Sequence, residues 1–167
     1  PGSNTKNYVP DTDQKAYRRS LYVYWKRTSP HPMMTLFDAP SRESSCVKRS
    51  RTNTSLQSLG LMNETQRIEM SRTLAERLLV EKDTDDGRLG LLFTLLASRQ
   101  PSEQERQACM TLLDSMRERY KGSVDDALAL LSTGTIPRNE KLNPAEHAAW
   151  SQLTITLLAS DISLLLY

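Results

Sequence analysis

Ser102-Glu-Gln-Glu-Arg-Gln-Ala-Cys-Met-Thr-Leu-Leu-Asp-Ser-Met-Arg-Glu-Arg-Tyr120 is the stretch whose reading decides the fold. Ser102 with Glu105 three residues on is a capping box, in which each side chain satisfies the other's backbone N–H. Cys109, Leu112, Leu113, Met116 and Tyr120 then recur at the spacing of one helical face, as an amphipathic helix requires.

The same grammar extends on both sides. Asn63 with Gln66 predicts a helix start, and the helix it opens is expected to run to about Glu81 with Ile68, Ala75, Leu78 and Leu79 inward. Leu89, Leu92, Phe93 and Leu96 share a face of the next helix, and Val124, Ala127, Leu128 and Leu131 repeat the spacing before Gly134 and Pro137 end it. Asn143-Pro144 with Glu146 supplies a cap, a proline in the first turn and an acid near the positive helix end. Leu153 to Tyr167 is interrupted by Ser160-Asp-Ile-Ser163 and is short for a membrane span, so it reads as a buried terminal helix. Nothing after Leu56 reads as a strand. Fold class: all-α, an irregular antiparallel helical domain with a Pro/Arg-rich irregular N-terminal segment.

The first third differs in composition. Residues 1–13 read as an extended lead-in, and 14–167 as one domain made of a basic motif segment, 14–60, and a helical bundle, 61–167. Residues 1–60 hold 10 Lys/Arg against 4 Asp/Glu, +6, whereas 61–167 hold 12 against 16, −4. This asymmetry suits internal charge packing or a basic surface for an anionic partner. Tyr17, Leu21, Tyr24 and Trp25 fall on one face of a helix expected to start near Gln14. Pro30, Pro32 and Pro40 make Ser29 to Ser41 an irregular loop. Leu56 and Leu59 sit on a short helix behind Thr52-Asn53-Thr54.

Three polar motifs concentrate the recognition chemistry: Tyr17-Arg-Arg-Ser-Leu-Tyr-Val-Tyr-Trp-Lys-Arg27, Phe37-Asp-Ala-Pro-Ser-Arg-Glu43, and Arg51-Thr-Asn-Thr54 with Leu56-Gln57. With Cys46, Asn63, Phe93, Arg99-Gln-Pro101, Glu105 and the closing Trp150 and Leu157-Leu158, these motifs resemble the planctomycete domain of unknown function that follows cytochrome c-type domains in large exported proteins. The likeness runs in order through almost the whole chain and corresponds to that domain's C-terminal part. Ser55 and Ser58 depart from the family's usual Pro and Ala. Ala159, Asp161 and Ile162 depart from its usual ending. The resemblance implies an extracytoplasmic module of a multidomain protein, with other domains of the parent, including a cytochrome c-type domain, as partners. It implies no reaction.

The candidate binding residues are Arg18, Arg19, Tyr22, Trp25, Arg27, Asp38, Arg42, Arg51, Asn53 and Gln57. Guanidinium groups form paired bonds to carboxylate or sulfate that an ammonium cannot, so an anionic carbohydrate stacked on the aromatic rings is one expectation. The other is structural: Arg18, Arg19 and Arg51 bridging the first helix, the Phe37–Glu43 loop and the helix start at Asn53, with Asp38 and Glu43 as partners. Arg49 belongs to the same question.

Catalytic readings are thin. Asp38 and Glu43 as a carboxylate pair, or Cys46 with His31, would be needed. There is no nucleophile elbow, phosphate loop, Cys-x-x-Cys or Cys-x-x-Cys-His. No cofactor, metal, nucleic acid or membrane span is expected, and Cys46 and Cys109 are not expected to pair. The reading is therefore a non-catalytic structural or ligand-binding module. Its alternatives are part of a carbohydrate-related active site completed by a preceding region, or a docking surface for a cytochrome domain.

Overall fold

The computed structural model describes residues 8–11, 13–26, 28–41 and 45–164; the side chains of Asp13 and Gln14 are outside that description. Arg27, Arg42 and Glu43 therefore lie outside the described residues. The chain divides into two compact units, Pro1–Gly60 and Leu61–Tyr167. The fold is all-α: among the described residues there are eight α-helices and no strand.

In the first unit the expected helix from Gln14 is not formed. Two short 3₁₀ turns, Asp13–Tyr17 and Ser20–Tyr22, stand in its place, and the chain then runs without regular structure to Lys26. Most of the face that should have packed is in water: Leu21 and Tyr24 are each 80% exposed and Tyr17 is 45% exposed, while Trp25 is half-buried. A helix this short gains its stability from packing rather than propensity, and aromatic and branched residues are indifferent helix formers. Helix α1, Pro32–Leu36, lies inside the stretch expected to be wholly irregular. Its proline sits at the first turn, where no N–H is missed, and His31 Nδ1 accepts from the Met33 N–H at 3.2 Å. Helix α2 spans Ser55–Asn63.

In the second unit the helices are α3 (Thr65–Glu81), α4 (Asp85–Ala97), α5 (Glu103–Gly122), α6 (Val124–Leu131), α7 (Pro144–Leu158) and α8 (Asp161–Leu164). Two of the three predicted caps are in place. Ser102 and Glu105 form a full capping box, and Asn143 accepts from the Glu146 N–H. The third moves by one residue: Asn63 ends α2, and Glu64 caps α3 by accepting from the Arg67 N–H at 2.9 Å. A carboxylate matches the exposed amides of a helix start at least as well as an amide does.

Helix α7 is the hub, packing on α3, α5, α6 and α8. His147, Ala148, Ala149, Trp150, Ser151, Leu153, Thr154, Ile155 and Leu157 are all buried. A helix covered on every side reads as apolar all round rather than amphipathic. The expected terminal helix is thus two pieces, broken at Ser160. Ala75, Leu78, Leu92, Phe93 and Leu113 fill the core around Trp150, while Ile68 and Leu79 are only half-buried. No helix among the described residues is long and apolar enough to cross a membrane.

Candidate functional site

The first unit is organised by its polar motifs, through partners that differ from the expected ones. Asp38 sits just past the end of α1 in the left-handed region, φ 56°, which Asp tolerates better than most residues. Its Oδ2 accepts from the Thr52 N–H at 2.8 Å and the Thr52 hydroxyl at 2.7 Å. The bond from the Thr52 hydroxyl is the main reason that the carboxyl is held below its ordinary range. Arg49 closes the loop from the other side. Its Nε donates to the Asp38 carbonyl at 2.9 Å and a terminal nitrogen donates to the Phe37 carbonyl.

Gln57 locks this arrangement. Its Nε2 donates to the Leu36 carbonyl at 2.9 Å and to the Thr52 hydroxyl at 3.0 Å. Its Oε1 accepts from the Thr54 N–H at 3.1 Å, and the Gln57 N–H donates to the Thr54 hydroxyl at 3.3 Å. Thr54 and Gln57 are therefore a capping box, a signal present in the sequence as Thr-x-x-Gln but passed over there. Gln57 is the one buried residue among those described up to Gly60.

Arg18, Arg19 and Arg51 do not take the bridging role. All three are exposed, and their side chains make no hydrogen bond or ion pair among the described residues. The physical reason is position. Arg49 reaches the carbonyls at the end of α1, and with the two Thr52 donors on the Asp38 carboxylate, the turn needs no further guanidinium. Asn53 is exposed as well, whereas Trp25 is half-buried. Phe37, Asp38, Lys48, Arg49, Arg51 and Thr52 line an open groove of about 1160 Å³. Of the residues singled out in the sequence, the structure thus joins Asp38 and Gln57 in one network and sets Arg51 on its rim. Arg18, Arg19, Tyr22 and Tyr24 stand along the earlier stretch of chain as exposed cations and rings.

The Cys–His pairing has no support in contacts. His31 caps α1 and meets the Tyr8 ring edge-on, with centroids 4.9 Å apart, and no bond links it to Cys46 among the described residues. Both thiols are free; Cys109 is buried in the second unit, where desolvation pushes its thiol up.

The second unit contains two charged clusters that sequence reasoning missed. In one, Arg117 of α5 forks onto Glu146 at the start of α7 and onto Asp85 at the start of α4. The bond from Arg117 is the leading cause of the lowered Asp85 value. Arg88 joins Asp85 at 3.0 Å, and the Trp150 indole donates to Glu146 at 3.0 Å. A cleft of about 510 Å³ beside it is lined by Arg117, Lys121, Val124, Asn143, Pro144 and Glu146. These carboxylates are committed to guanidiniums, which suits helix joining rather than proton transfer.

The other cluster is covered, with Glu69 and Arg72 buried and Glu76 half-buried. Glu69, Arg72 and Glu76 of α3, spaced i, i+3 and i+7, hold the connection between α6 and α7. Glu69 accepts from the Thr135 N–H at 3.1 Å and the Ile136 N–H at 2.6 Å. Arg72 donates to the Ile136 carbonyl, and Glu76 accepts from the Asn139 N–H at 3.1 Å. Gly134 begins this segment at φ 101°, where a Cβ would strike the Glu69 carboxylate. The sequence signal was available: charged residues share the helical face of buried Ala75. No group of His, Cys, Asp and Glu among the described residues is arranged to hold a metal ion.

An all-α chain with a hydrogen-bonded polar loop unit and a charge-joined helical unit is a structural class, not an activity. A family model described as "PSD1: Protein of unknown function (DUF1553)" matches residues 1–113, more than half of the 167 residues, and the chain belongs to that family. No curated protein and no solved structure matches it.

Proposed function

We propose that this chain is a non-catalytic binding module whose first unit engages an anionic carbohydrate. One observation carries the reading: Arg18 and Arg19 stay exposed in the same short stretch as exposed Tyr22 and Tyr24, and Arg51 stays exposed on the groove, while the local fold is held by Arg49, Thr52 and Gln57. Side chains that neither bury nor bond are free to serve a ligand. Guanidiniums fork onto sulfate or carboxylate, and tyrosine rings offer flat apolar faces with polar tips. The excess of cations in residues 1–60 also steers anions toward this unit. The extracytoplasmic setting and the cytochrome-linked parent protein belong to the same proposal and rest on the sequence motifs.

The test is calorimetric titration with heparin, pectin and neutral dextran at low and high salt. Binding to the two acidic polymers that weakens with salt, and falls at least about tenfold in Arg18→Ala/Arg19→Ala/Arg51→Ala without a change in melting, supports the reading. No binding to either acidic polymer at low salt, or equal binding to dextran, rejects it.

A further inference from the structure

The buried cluster on α3 contains a histidine that the binding reading does not use. His147 of α7 has no exposed surface. Its Nε2 lies 3.0 Å from the Arg72 carbonyl. A carbonyl can only accept, so Nε2 carries the proton and Nδ1 presents a bare lone pair. Among the described residues Nδ1 has no partner, and neither do Arg72 Nε and Arg138 Nη1, all buried. Protonation would therefore add an N–H with no acceptor, in a place that already holds two cations.

The surrounding charges leave little relief. Glu76 of α3 favours the protonated ring, while Arg72 of α3 and Arg138 of the connecting segment oppose it. Glu69 is occupied by Thr135 and Ile136. Arg117 of α5 is held by Asp85 and Glu146, and Asp125, Asp126 and Asp161 of α6 and α8 are exposed. Burial is the dominant influence and pushes the imidazole below its ordinary value of 6.5. Below that value the unfolded or opened chain binds the proton and the closed one does not, so stability is full above it and declines as pH falls.

The way out is the connecting segment. Thr135–Asn139 has no helix or strand of its own, and its described backbone bonds to α3 run through three side chains, Glu69, Arg72 and Glu76. We propose that residues 133–139 form an acid-released strap, which lifts from α3 when His147 takes a proton while the helices around it stay folded. Few bonds and no apolar anchor distinguish the strap from the packed helices, so it opens at a lower local cost than the helices that it joins. Ile136, its one large apolar side chain, is exposed.

Hydrogen exchange read by NMR on the full chain at about pH 7.5 and about pH 5 tests this. After correction for intrinsic exchange, the amides of Thr135, Ile136 and Asn139 should lose about tenfold or more in protection at the lower pH. Amides of Leu92 and Leu113 should keep theirs. In His147→Gln, which retains a donor toward Arg72, strap protection should not change with pH. Should that variant fail to fold, the native protein still decides the matter: the His147 ring and the strap amides must titrate with one midpoint. Strap amides that stay protected at the lower pH overturn the proposal, as do strap and core amides that open together.

Discussion

Arg117 donates its Nε to Glu146 Oε2 at 2.9 Å and, with the same planar group, donates to Asp85 Oδ1 at 3.0 Å and stands 2.8 Å from Asp85 Oδ2 as an ion pair. One side chain from the middle of α5 thereby fixes the first turns of both α4 and α7. Lysine keeps the charge but cannot reproduce two forks at once. Arg117→Lys should lower the unfolding free energy by about 1.5–3 kcal/mol, the range for bonds between charged groups at a largely covered site. Chemical denaturation of both proteins checks it, and equal midpoints would show that the forks add nothing.

Gly134→Ala should be destabilising by at least about 1–3 kcal/mol, through the positive φ and the collision with Glu69. The loss should be accompanied by faster exchange at Thr135 and Ile136. A melting temperature equal to the parent's would contradict the close approach.

The exposed and the engaged arginines of the first unit should separate cleanly. Arg18→Ala and Arg19→Ala should each stay within about 0.5 kcal/mol of the parent. Arg49→Ala removes the donors to the Phe37 and Asp38 carbonyls and should cost about 1 kcal/mol. Limited proteolysis within residues 36–54 is the direct readout, with Arg49→Ala cut faster and the other two cut like the parent.

Acid stability should depend on Glu105. Paired bonds from Arg99 are the main reason its carboxyl is lowered from 4.5 to about 2. A lowered carboxylate stabilises the fold fully above its unfolded value and loses that contribution as pH falls toward its folded value. The parent should therefore weaken between about pH 5 and pH 2 by more than Glu105→Gln does. Urea midpoints across that range would show parallel curves if Arg99 and Glu105 do not interact.

The helical half was legible because its signals are local. A cap, a spacing and a terminating glycine lie within one element, so Ser102, Asn143 and the face Cys109–Tyr120 could be read one residue at a time. The first unit resisted because aromatic spacing from Tyr17 to Trp25 satisfies a helical period without saying whether any surface will cover it. Here only Trp25 is half-covered, and period alone carries no free energy. Asp38 and Gln57 were identified as residues that matter, but their partners Thr52, Thr54 and Arg49 depend on how a left-handed turn aims a carboxylate. The Arg117–Glu146 and Glu69–Thr135 bonds join positions 29 and 66 residues apart, a separation that no window along the chain can span.

The position of α7 in the chain has a consequence for biogenesis. It follows α3, α5 and α6 in the chain, yet it is the surface against which all three close. A ribosome releasing the chain from its first residue presents those helices long before their common partner emerges. Their apolar faces must wait, open to other chains, until residue 158 has cleared the exit tunnel. Nascent polypeptides halted before Pro144 should accordingly be chaperone clients and aggregation-prone, and a stop codon just before Pro144 should be as damaging to this fold as one before α3.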